Sequence, residues 1–428
     1  MKSYALVLGG GGAKGIYQIG VWKALRELGI KFHAVIGTSI GSINGCLIIQ
    51  GNFEKAMEFW SGIELNTALN IPDEMISNGK FIINTENIDK LVTLQKDIIK
   101  NRGVDTTPLV GLLNQYISEE KIRKSKTDFG LVSFNASNLR PFEIFKEHIP
   151  KGELIHYIMA SSALPGLKQI TINGNFMLDG GIANVVPYDL ARKRGYKKII
   201  VVDVSGPGKY RVPHIVGTET IYIKNSSDLG SIIETDKKIY MKNFTMGYMD
   251  TMKTFNKYSG HVYTYVNNTA LKSKINKYIK EHETQIINTI TQHNSKISHL
   301  HQLFPKRFAY DKDFAGIASE CAGIVVKIPT DTLYDYEDFI NRIKQLYNEL
   351  MLKKKNYEDT VVTDLLLRVI RNKINLFNLS VMEYDFALSF LFSAEKIKKW
   401  IPGENLSLII EELYGARLFF YLVDKDVI

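Results

Sequence analysis

The chain has 428 residues, 45% hydrophobic and 23% charged, with 54 basic against 45 acidic side chains and a net charge of +9. Such proportions belong to a folded globular protein, and the two cysteines, Cys46 and Cys321, stand too far apart for a disulfide framework or a metal cluster. The positive excess is spread along the chain without a basic, aromatic-laced helix or zinc-finger spacing, so nucleic acid is not an expected partner, and no apolar run reaches the roughly 18 residues of a membrane span.

The N-terminal apolar run meets glycine at Gly9, too early for a signal peptide, and a reducing, cytoplasmic setting is expected. Tyr4 to Leu8 reads as a buried strand. Ile16 to Leu28 has helical periodicity and stops at Gly29, and Phe32 to Ile36 is a second strand. A second long helix follows from Ile40, then a short one over Asn52 to Trp60. Strand, helix, strand, helix predicts a parallel α/β sheet. From 62 to 126 the pattern loosens into a cap-like insertion over the sheet. Strands are predicted at Phe129–Phe134 and Pro141–Lys146, and a helix at Leu154–Ser162. Lys168–Ile172 and Asn175–Leu178 flank an Asn173-Gly174 turn and form a hairpin. A helix at Tyr188–Lys193 and strands at Lys198–Val204 and Thr220–Ile223 complete a first domain, 1–268. The remainder, 269–428, is expected to be mainly α-helical, on repeats such as Phe339, Ile343, Leu346 and Leu350, the group Leu365, Leu366, Val369 and Ile370, and segments between Val381 and Phe392.

Three stretches carry chemistry. The first is Gly9-Gly10-Gly11-Gly12-Ala13-Lys14-Gly15 after the first strand. It satisfies the dinucleotide spacing, but the second strand ends without the acidic residue that holds a ribose. A P-loop fails because Ile16 follows Gly15. The remaining use is an oxyanion hole, in which side-chain-free backbone N–H groups converge on one point. The second stretch is Gly37-Thr38-Ser39-Ile40-Gly41, a strand–turn–helix corner. It would present the Ser39 hydroxyl at the positive end of a helix, as a nucleophile requires, although a plain turn with a serine cap fits the same pattern. The third is Asp179-Gly180-Gly181, at a strand end. Histidine is the usual base for a serine. Of the nine histidines (33, 148, 156, 214, 261, 282, 293, 299 and 301), His214 falls in a loop after a strand, and the order Ser39, Asp179, His214 matches a hydrolase triad as a minor alternative.

Together with Ala160-Ser161-Ser162-Ala163-Leu164-Pro165, these stretches resemble the patatin-like phospholipase family in order and in strand-end placement, over about residues 1–268. The resemblance implies a three-layer α/β fold with a mainly parallel central sheet. It implies a Ser39–Asp179 dyad with no histidine, metal or cofactor, and an oxyanion hole from Gly10, Gly11 and Gly12. Lys14, Gly15, Gly37, Gly41, Gly180 and Gly181 complete the motifs. The implied function is a lipid acyl hydrolase; a silent or latent member of the same fold is the alternative. Its partner would be a lipid substrate, taken at a membrane surface. For an aspartate to serve as base near neutral pH, its site must be buried and apolar. Met241, Phe244, Tyr248, Met252 and Phe255 form a helical stripe expected to pack in the core, as does Leu418–Val423. Arg192-Lys193-Arg194 and Lys353-Lys354-Lys355 are expected on solvated faces that could meet anionic lipid. The lysine-, isoleucine- and asparagine-rich composition suggests a bacterial source.

Overall fold

The buried apolar runs and glycine stops of the first fifty residues fold into alternating strand and helix. The computed structural model describes residues 3–77, 79–81, 94, 102–211, 218–266, 269–291, 298–304, 308, 311–353 and 413–428. His214, His293, Lys354, Lys355, the Leu365–Ile370 group and Val381–Phe392 lie outside the described residues. The chain divides into two compact units, Met1–Lys257 and Tyr258–Ile428.

In the first unit, β1 (Ser3–Leu8), α1 (Ile16–Glu27), β2 (Lys31–Thr38), α2 (Ile40–Gln50) and α3 (Phe53–Gly62) follow in sequence. Asn52 caps α3 by accepting from the Lys55 N–H at 2.8 Å. The cap-like region holds short strands β3 (Ile76–Ser77) and β4 (Lys80–Phe81) and helices at Thr107–Tyr116 and Glu119–Lys124. Then come β5 (Asp128–Asn135), β6 (Arg140–Phe145), a helix at Leu154–Ser161, β7 (Ile170–Ile172), β8 (Asn175–Asp179), a helix at Tyr188–Lys193, β9 (Lys198–Asp203), β10 (Glu219–Lys224) and a helix at Lys237–Thr254. The expected hairpin is present: Ile172 pairs with Asn175 across Asn173 and Gly174, both at positive φ (49° and 75°).

Strands β10, β9, β1, β2 and β5 run parallel in that order. Strand β6 runs antiparallel along β5 from Gly130 to Asn135. Both β2 and β8 must therefore use the other edge of β5. Strand β2 pairs there up to Thr38↔Val132, and β8 continues at Asp179↔Ser133. The ends of β2 and β8 thus meet head to head. Side chains alternate across the sheet: Leu6 and Leu8 pack among the helices on one face, Ala5 and Val7 against Val185, Leu190 and Ala191 on the other. This is a three-layer α/β fold with a mainly parallel sheet.

The helix at Lys237–Thr254 crosses α1 at two glycines. A Cβ on Gly20 would lie 1.9 Å from the Phe244 carbonyl oxygen, and one on Gly247 would lie 2.0 Å from that of Tyr17. The Tyr17 hydroxyl donates to Asp250 Oδ2 at 2.9 Å beside this crossing. The methionine-rich stripe is split rather than uniformly packed. Met246, Met249 and Met252 are buried, while Met241 is exposed, because the helix leaves one side to solvent. The basic residues near 193 are not free: Lys193 pairs with Glu143, and Arg194 with Asp128 and Glu147.

The described part of the second unit is mainly helical. Helices at Thr269–Glu281, Glu283–Thr291, Phe314–Val325, Tyr336–Lys353 and Leu413–Asp424 accompany a parallel pair, Thr264–Val266 with Leu333–Asp335. That first strand belongs to this unit, so the division precedes the boundary expected near 268. Leu418, Phe419 and Leu422 are fully buried with Phe339 and Ile343, and the 418–423 segment is core.

Candidate active site

Ser39 sits where β2 turns into α2, with φ 55° and ψ −126°. A non-glycine residue in this region carries strain of about 1–3 kcal/mol and stays only where its surroundings over-determine it. The surroundings are specific. The Ser39 N–H donates to Ser161 Oγ at 2.9 Å, and the Ser161 hydroxyl donates to the Val132 carbonyl at 2.6 Å. The Ser39 carbonyl accepts from the Ser42 hydroxyl at 2.7 Å and from the Ser42 N–H at 2.8 Å. Ser39 stands at the N-cap position, yet its side chain makes no capping hydrogen bond. The plain-cap alternative therefore fails, and the hydroxyl is left for other use.

Glycine is required on both sides. A Cβ on Gly37 would stand 2.2 Å from the Gly41 carbonyl, and one on Gly41 would stand 2.3 Å from the Leu8 carbonyl oxygen. These are backbone contacts that cannot rotate away. Gly41→Ala is expected to cost about 3 kcal/mol of stability or more, measurable by urea unfolding.

Asp179 ends β8 directly beyond Thr38 and is 5% exposed. Its N–H donates to the Ala163 carbonyl at 2.8 Å, and its Oδ1 accepts from the Gly181 N–H at 2.7 Å. Gly180 lies against β5, where a Cβ would be 2.1 Å from the Val132 carbonyl oxygen. Burial pushes the Asp179 pKa up to about 6, against smaller lowering effects from the Ser39 hydroxyl and the Gly181 N–H. Oδ2 is buried with no well-formed hydrogen bond. Ser39 is thus near enough to lower the Asp179 pKa, although no hydrogen bond joins the two side chains.

The glycine loop lies beside Ser39. A Cβ on Gly10 would be 3.4 Å from the Ser39 Cβ. The Gly10 N–H is committed to the Val185 carbonyl at 3.0 Å. Among the described residues, the N–H groups of Gly11 and Gly12 have no hydrogen-bond partner. Gly12 has φ 55°, and a Cβ there would meet the Ile232 carbonyl oxygen at 2.2 Å. Lys14 reaches outward to the Ser205 carbonyl at 3.3 Å, and Gly15 packs on Ile40 of α2.

A pocket of about 140 Å³ opens at Ser39 and Gly12. Its walls are apolar and include Ile43, Trp60, Leu65, Leu109 and Leu164. Leu65 and Leu109 come from the cap-like region, which therefore shapes the pocket. Among the described residues no histidine is hydrogen-bonded to Ser39 or Asp179; His156, for example, meets the Thr171 carbonyl. No group of three or more His, Cys, Asp or Glu among them could hold a metal ion. Nor is any described helix long and apolar enough to cross a membrane.

Sequence reasoning held Ser161 within the Ala160–Pro165 motif without assigning it a contact, and it missed Ser133. The Ser133 hydroxyl lies 2.8 and 2.9 Å from the carbonyls of Ala160 and Leu178, holding β8 to the helix that carries Ser161. The sequence signal for Ser133 is a small polar residue inside an otherwise apolar run.

The patatin-like phospholipase model matches residues 6–192. Lysophospholipase NTE1 of Kluyveromyces lactis is 30% identical over 210 residues, 47% of this chain and 13% of that protein. Human patatin-like phospholipase domain-containing protein 6 is 31% identical over 215 residues, again 47% of this chain and 13% of its own. The chain thus spans only 13% of the length of these curated relatives. VipD of Legionella pneumophila aligns over 99% of this chain and 91% of its own, at 14% identity and a TM-score of 0.35, too loose a likeness to carry an argument.

Proposed function

We propose that the chain, whose residues 6–192 match the patatin-like phospholipase family model, is a serine acyl hydrolase acting on fatty acyl esters of phospholipids or related lipids. One observation carries the reading: Ser39, strained and uncapped, stands at the mouth of an apolar pocket beside a buried aspartate.

In this mechanism Ser39 Oγ attacks the ester carbonyl carbon while its proton passes to Asp179. The carbonyl oxygen takes up negative charge and is held by the N–H groups of Gly11 and Gly12, with Gly10 shaping the turn. Collapse breaks the ester bond, and the proton on Asp179 goes to the departing alcohol. Water then attacks the acyl-serine, again yielding its proton to Asp179, and Ser39 leaves reprotonated with free fatty acid released. Two functions favour the buried base: desolvation raises its basicity, and fixed N–H dipoles stabilise charge that appears only in the transition state.

The apolar pocket would take the acyl chain. Leu109→Trp fills it and is expected to raise KM for a long-chain ester about tenfold, leaving a short-chain ester nearly unchanged, since each lost methylene contact is worth about 1–3 kcal/mol. The enzyme would act in the cytoplasm, peripheral to the membrane that holds its lipid. The reading is tested by mass-spectrometric detection of free fatty acid released from phospholipid and lysophospholipid vesicles. No release and no labelling by a serine-directed phosphonate, with the protein folded, would favour a catalytically silent member of the family.

A further inference from the structure

We propose that Gln18, Asn44 and Trp60 form a positioning network that holds the glycine loop in register with Ser39 and ties that register to the wall of the apolar pocket. The three residues come from α1, α2 and α3. Gln18 and Asn44 are 0% exposed and Trp60 is 2% exposed. Gln18 Nε2 donates to the Gly9 carbonyl at 2.7 Å. Asn44 Nδ2 donates both to the Gly15 carbonyl and to Gln18 Oε1, each at 2.8 Å. The Trp60 indole N–H donates to Asn44 Oδ1 at 3.0 Å. Both amide hydrogens of Asn44 and its oxygen are thereby used.

The arrangement fits a loop that cannot hold itself. A run of glycines has no side chains to lock its peptides and pays a large entropic cost for order. The network grips it at both ends, through Gly9 and Gly15, and leaves the peptides between them to present the unpaired Gly11 and Gly12 N–H groups. Asn44 sits on the helix that Ser39 begins, so the same amide fixes the donors relative to the nucleophile. Buried amides are costly where unsatisfied, and apolar residues would pack these helices at lower risk. Trp60 adds the link to substrate. It lines the pocket and stands edge-on to Tyr240, with ring centroids 5.4 Å apart. An apolar chain packed against the indole would hold its N–H on Asn44, so long chains would raise kcat as well as lower KM.

The catalytic arm of the test rests on the hydrolase reading, while a second arm does not. Gln18→Met keeps size and burial but removes the donor to Gly9 and the acceptor from Asn44, and Trp60→Phe keeps a smaller aromatic ring but removes the indole N–H. In hydrogen–deuterium exchange, Gln18→Met is expected to speed exchange over residues 9–15 about tenfold or more, with β1 and the body of α2 unchanged. On a soluble short-chain ester its kcat is expected to fall about 10- to 100-fold with KM within about twofold, the mark of misplaced transition-state donors. Trp60→Phe is expected to flatten the rise of kcat with acyl length while KM still falls. Wild-type exchange over 9–15 in Gln18→Met would overturn the proposal, as would an increase spread evenly over the whole first unit. A wild type that cleaves no ester would count against the hydrolase reading alone, since the exchange arm still decides the network.

Discussion

Ser39→Ala is expected to lose covalent labelling by a fluorophosphonate and to lower ester hydrolysis by about 10⁴- to 10⁶-fold, the range seen when a hydrolase loses its nucleophile. The fold should survive, because the contacts that fix this corner run through the backbone N–H and carbonyl of residue 39 and not its hydroxyl. Alanine also keeps the strained φ of 55°. The melting temperature should therefore stay near that of the wild type. Labelling that persisted in Ser39→Ala would move the nucleophile elsewhere and sink the dyad.

Asp179→Asn is expected to cost about 10²–10⁴ in kcat, the share of a general base. The wild type should show its own signature. A base must be ionised to accept a proton, so kcat/KM should rise with pH to a plateau above an inflection near 6, where burial has pushed this carboxyl. An inflection near 4, as for an exposed aspartate, would show that the base is elsewhere.

The same shift has a consequence for stability. Asp179 holds its proton more tightly folded than unfolded, with a pKa of about 6 against 3.8. Its ionisation therefore destabilises the fold as pH rises between those values, and the whole cost is present above the upper one. The difference of about two units corresponds to about 3 kcal/mol. Asp179→Asn carries no charge and keeps an oxygen for the Gly181 N–H. It is expected to melt above the wild type at pH 8 by up to that amount, with the gap closing towards pH 4. A variant that is slower but more stable would identify the carboxylate as strain held for chemistry.

The alternation of apolar runs with glycine stops determined the α/β class, the sheet strands and the Asn173-Gly174 hairpin, because a parallel strand buried on both faces leaves an unmistakable local pattern. The spacing Gly37–Ser39–Gly41 likewise determined the sharp corner, since only glycine tolerates those backbone approaches. Other features are long-range. That β8 shares an edge of β5 with β2, and so brings Asp179 to Ser39 across 140 residues of chain, depends on strand pairing that no local signal encodes. The commitment of the Gly10 N–H to Val185 belongs to the same class, as do the support of Ser39 by Ser161 and the grip of Gln18 and Asn44 on the glycine loop. Each is a buried polar contact between elements distant in sequence. A serine or amide in an apolar run reads the same whether it meets a carbonyl of the active loop or any other, and only the packed tertiary structure decides which.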